Sequence, residues 1–66
     1  MREFKLMVDV PYLKKGTRFI MDDVTSDVFF ITDNGELSRY ALRSSLAGYL
    51  WLLATDRKYM RYIGVR

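Results

Sequence analysis

From Arg2 to Val10 the chain alternates, with Phe4, Leu6, Val8 and Val10 on one side and Glu3, Lys5, Met7 and Asp9 on the other. That two-residue period predicts a half-buried strand. Pro11 has no N–H to give to a ladder, so the strand should stop there. Tyr12 to Gly16 then reads as a turn, with Gly16 supplying the backbone freedom a reversal needs. Thr17 to Asp22 is a second strand, Phe19 and Met21 facing one way and Arg18, Ile20 and Asp22 the other. After the polar connection Asp23 to Ser26, the run Asp27 to Thr32 is rich in β-formers and predicts a central strand covered on both faces. Asn34-Gly35 between strand-like runs predicts a hairpin with a two-residue type I′ turn, which needs positive φ at both residues. Glu36 to about Ala41 returns as a fourth strand. Arg57 to Val65 alternates again and reads as an edge strand, where Arg61 discourages pairing with foreign edges.

Helical spacing occurs once, from Leu42 to Ala54. At about 100° per residue, Leu42, Leu46, Tyr49 and Leu53 form one stripe, which should face the core. Ser44 or Ser45 is placed to cap the first turn. Trp51 falls opposite the stripe, beside Ser44, Ala47 and Gly48. Two readings of Trp51 follow. Either a partner covers it, a second copy being the simplest, or strands wrap around the helix and bury it within the monomer, with Gly48 against a strand.

The order strand, strand, strand, strand, helix, strand predicts an α+β fold. The expected architecture is a small curled antiparallel sheet, an SH3-like, partly open barrel, with one helix before the last strand and residues 1–66 as a single domain.

With 66 residues, such a domain buries only roughly 60% of its unfolded surface. The chain has no cysteine, so no disulfide supplements that core, and self-association is a thermodynamic expectation too. The opening residues lack a signal peptide's apolar run, which points to the cytoplasm. The longest apolar run, Leu46 to Ala54, is about half of what a membrane span needs. Net charge is +3, with no basic run beyond the pairs Lys14-Lys15 and Arg57-Lys58.

The stretch Val8-Asp9-Val10-Pro11-Tyr12-Leu13-Lys14-Lys15-Gly16-Thr17-Arg18-Phe19 resembles the opening of small uncharacterised proteins carried by phages and prophages of Gram-positive bacteria. There a strand, a Pro-x-Leu-Lys-x-Gly turn and a Thr-x-Phe strand follow one another. The resemblance covers about a fifth of the chain and implies a fold element and an accessory role in a mobile element. It implies no activity and no site.

The chain contains no histidine either, which removes the usual neutral-pH base, the catalytic triad and the commonest metal ligand. Asp22, Asp23 and Asp27 form the tightest acidic cluster, but their spacing is not a calcium loop. It reads as a turn with Asx-type hydrogen bonds. Ser44-Ser45 has no base to activate a nucleophile, and the glycines build no phosphate loop. We therefore expect no catalytic residue, no metal and no cofactor.

The expectation is a non-enzymatic interaction module that binds a protein partner or itself through Trp51, Ala47, Gly48 and Ser44. The alternative is a small-barrel nucleic-acid binder that uses Lys14, Lys15, Arg18, Arg57, Lys58 and Arg61, with tyrosines such as Tyr12, Tyr40, Tyr59 and Tyr62 on the same face.

Overall fold

The alternation at the start of the chain gives a shorter strand than it predicts. In a computed structural model that describes all 66 residues, β1 spans Arg2–Leu6. Met7 still donates its N–H to Tyr59, after which the chain leaves the ladder and the exposed Asp9 carboxylate accepts the Lys15 N–H at 2.8 Å. Val10 and Leu13 then exchange backbone hydrogen bonds at 3.0 and 3.1 Å across Pro11-Tyr12. Tyr12 there has φ +71°, a conformation suited to glycine or asparagine. Its side chain is fully exposed, so Tyr12→Gly removes strain without removing packing. The left-handed penalty of about 1–2 kcal/mol outweighs the glycine entropy cost of about 0.5–1 kcal/mol. The melting midpoint should therefore rise by about 2–4 °C; a fall would contradict the turn.

β2 (Arg18–Met21) returns antiparallel to β1, with Phe4 opposite Phe19 and Lys5 opposite Arg18. The loop to β3 (Val28–Phe30) is the acidic cluster, and it forms the expected Asx turn. Asp22 accepts the Val24 N–H at 2.9 Å and the Thr25 N–H at 3.4 Å. The Val24 N–H does most to hold the Asp22 carboxyl below its ordinary value of 3.8. A depressed folded value stabilises the fold above the unfolded pKa, and that contribution is lost as pH falls through the folded one. Asp22→Asn should therefore flatten the acid limb of a stability–pH curve below about pH 4. An unchanged limb would contradict the turn's role.

Thr32 closes the next hairpin differently from expectation. The Gly35 N–H donates to the Thr32 carbonyl and the Thr32 N–H to the Glu36 carbonyl, at 2.8 and 2.7 Å. Gly35 has φ +82°, and Asn34 is not among the residues with positive φ. The connection is thus a three-residue loop with glycine in the left-handed position, not a type I′ turn. The returning segment forms no regular strand. It pairs with Ile31, just past β3, through the bridge Ile31–Leu37, and with β3 through donation from the Ser38 N–H to Phe30 and the Leu42 N–H to Val28. The Ser38 hydroxyl accepts the Phe30 N–H at 3.1 Å, where a ladder would use a carbonyl.

α1 spans Ser44–Leu53 and β4 spans Met60–Val65, pairing antiparallel with β1. The sheet order is β3-β2-β1-β4, so β3 lies at one end, not at the centre, and β4 is the edge strand expected. The result is an α+β domain, a four-stranded antiparallel open sheet with one helix before the last strand. Neither Ser44 nor Ser45 caps the helix. Arg43, extended at φ −58° and ψ 153°, stands at the cap without a side-chain hydrogen bond.

One core holds these elements together. Phe4 and Leu6 of β1, Phe19 and Met21 of β2, Val28 and Met60 pack on Ala47, Leu50 and Leu53 of α1. No helix is long and apolar enough to cross a membrane.

Candidate functional site

The rotation of α1 decides where Trp51 sits. Ala47, Leu50 and Leu53 are buried, while Leu46, Trp51 and Ala54 pack against the core from its flanks. Ser44, Ser45, Gly48, Tyr49 and Leu52 are exposed. The helix is therefore turned by roughly a quarter turn from the Leu42–Leu46–Tyr49–Leu53 stripe. Tyr49 faces out and Ala47, expected beside an exposed tryptophan, is 6% exposed. The physical reason is that α1 is apolar on most sides, so periodicity fixes its rotation weakly. Small Ala47 lets the helix approach the sheet, and half-burying the indole gains more than burying Tyr49. The anticipated bed of small residues is consequently divided, with Ala47 inside and Ser44 and Gly48 outside.

Trp51 is half-buried and held from two sides. Its indole N–H donates to the Ser26 carbonyl at 2.9 Å, and Ser26, at φ +65°, lies in the β2–β3 loop. The Arg2 guanidinium lies 5.8 Å from the Trp51 ring and 5.3 Å from the Phe4 ring, within cation–π range. Asp23 takes two hydrogen bonds from Arg2, at 2.9 and 2.6 Å. Those bonds, against some desolvation, raise the Arg2 pKa above its ordinary value.

Around this tryptophan lies a cleft of about 650 Å³. Trp51, Ala54, Thr55 and Arg57 form one wall, Arg2, Phe4 and Met7 the second, and Met60, Arg61 and Tyr62 the third. Tyr62 packs on Phe4 with centroids 5.5 Å apart and keeps about half of its surface exposed. Arg2, Arg57 and Arg61 line the cleft and no carboxylate does. Guanidinium groups beside aromatic rings suit a planar anionic group or a ring with an acid attached. Nothing in the cleft provides a nucleophile with a base, and no group of acidic residues is arranged to hold a metal ion.

The basic residues divide between places. Arg57 and Arg61 reach the cleft, with Lys58 next to them over the Tyr59 ring at 5.7 Å. Lys14 and Lys15 lie in the β1–β2 loop and do not line it. Arg18 bonds Glu3 at 3.4 Å. Arg18 and Arg61 nonetheless flank Lys5 in register, so three cations form a row across β2, β1 and β4. Tyr12 and Tyr49 line a separate groove with Arg43. Sequence reading missed Arg2, Lys5 and the Ser26 carbonyl, because strand register and loop conformation, not spacing, bring them to the site. No family model, curated protein or solved structure matches the chain.

Proposed function

We propose that this chain is a non-enzymatic interaction module that captures a protein partner in the cleft beside Trp51. The observation that carries the reading is that the sole tryptophan shares a cleft with three arginines and no carboxylate. Asp23 already pairs Arg2, whereas Arg57 and Arg61 have no carboxylate partner; such cations are kept at a stability cost and favour an anionic ligand. The module works by occlusion or bridging, as a cytoplasmic accessory protein of a mobile element. The resemblance of residues 8–19 to phage and prophage proteins supports that setting. An SH3-like, partly open barrel is the proposed architecture. Support comes from β4 returning to pair with β1 and from the 37–42 segment running beside β3.

Peptide display tests the reading, with wild type as bait and an Arg57→Glu/Arg61→Glu variant as counter-bait. Selected peptides should shift the emission of Trp51 and fail to bind the variant. Binders indifferent to both substitutions would overturn the reading.

A second reading has its own observation: Tyr62 and Trp51 stand beside Arg57 and Arg61, the pairing of rings and cations that single-stranded nucleic acid uses. Affinity for an oligothymidylate that fades steeply with salt would favour it.

A further inference from the structure

Resting on the cleft reading above, we infer that the partner is an acidic, extended peptide that adds as a strand to the open edge of β4. The two ends of the sheet differ. Beside β3, the Ser38 and Leu42 N–H groups already occupy backbone carbonyls of the outer strand. Beside β4 no segment pairs.

The phase of the β1–β4 ladder is fixed by the Met7 N–H donating to Tyr59 and the Arg66 N–H donating to Met1. Antiparallel alternation then turns the backbone groups of Arg61 toward β1 and those of Tyr62 toward the open edge; past the register shift opposite Glu3/Phe4, which leaves Ile63 as the extra residue of a bulge, it turns those of Val65 outward as well. Tyr62, Ile63 and Val65 are exposed on it. An apolar edge with unpaired donors and acceptors is a template for another strand.

Charge selects which strand. Lys5, on the face away from the helix, has Arg61 directly opposite it on the edge strand, where Arg61 also borders the cleft, a like-charge pair that costs stability. Arg57 lines the cleft on the helix side without a carboxylate partner, beside Arg2, which Asp23 holds. A strand laid along β4 sends alternate side chains to each face, so acids on either face meet a cation. A second copy paired edge to edge about a twofold axis would set like-charged edges together, which disfavours it.

The test is titration of the full chain, followed by Trp51 fluorescence and amide exchange, with a short peptide of alternating glutamate and valine. Three other probes accompany it: the same peptide N-methylated at alternate amides, its lysine counterpart, and oligothymidylate. The acidic peptide should bind and slow exchange at the Tyr62 and Val65 amides. N-methylation should weaken it by roughly tenfold or more, by removing backbone pairing alone. Arg61→Glu, which replaces a repelling neighbour of Lys5 and so spares the fold, should weaken it as much and admit the lysine peptide. If the acidic peptide and its N-methylated form perturb Trp51 equally, the cleft reading stands and strand addition is overturned. If the lysine peptide binds wild type better, the acidic partner is overturned. If only oligothymidylate perturbs Trp51, both the strand and the protein-partner reading fall.

Discussion

Trp51→Ala should lower the melting midpoint by about 10–20 °C, the result of losing about 2–3 kcal/mol from a domain whose size allows only about 3–5 kcal/mol in all. The indole packs against the core, donates to Ser26 and lies beneath Arg2. From the sequence alone a Trp51 covered by a partner would tolerate the substitution and one buried within the monomer would not. Packing of the half-buried indole against the core favours the second. Trp51→Phe keeps most of the ring volume and loses the hydrogen bond, so it should cost about 1 kcal/mol. Calorimetry or circular dichroism melts of both variants check this; a Trp51→Ala midpoint equal to wild type would place the ring outside the packed structure. Binding at the cleft is therefore better probed through Arg57 and Arg61, whose side chains are exposed.

Leu50→Ala should leave the chain largely unfolded. Leu50 has no exposed surface and belongs to the sheet–helix core, and such truncations cost about 2–5 kcal/mol, comparable to the whole stability. Tyr49→Ala, one position away, should cost less than about 1 kcal/mol because Tyr49 faces outward. The stripe through Leu46, Tyr49 and Leu53 predicts the opposite ranking. Urea unfolding of the pair decides the helix rotation: a more damaging Tyr49→Ala would contradict the packing described.

Elements whose cause is local were legible in the sequence. Alternation around Phe4 and Leu6, the reversal at Gly35 and the helical run before the last strand all arise from backbone chemistry or period. The Asx turn at Asp22 belongs with them, whereas β1 ends at Leu6, well before the stop that Pro11 predicts. What was not legible depends on pairing at a distance. Asn34-Gly35 admits either a two- or a three-residue loop, and the flanking register chooses. The Asp27 to Thr32 run looks central because it is apolar throughout, yet what covers its far side is an irregular segment with a serine hydroxyl in the ladder. The helix, apolar on most sides, carries little information about its own rotation, so the error at Tyr49 and Ala47 was built into its composition. At the site, Trp51, Arg57 and Arg61 were in view. Arg2 and Lys5 were not, since only the register of β1 with its neighbours sets Lys5 between Arg18 and Arg61 and brings Arg2 to the indole.

The cationic, half-open setting of the only tryptophan is most directly measured by quenching its fluorescence with iodide and with caesium at matched ionic strength. Guanidinium groups gather anions and repel cations, so iodide should quench several-fold more strongly, and Arg57→Glu/Arg61→Glu should bring the two close together. Equal quenching in the wild type, or none by either ion, would contradict an indole that shares its cleft with Arg2, Arg57 and Arg61.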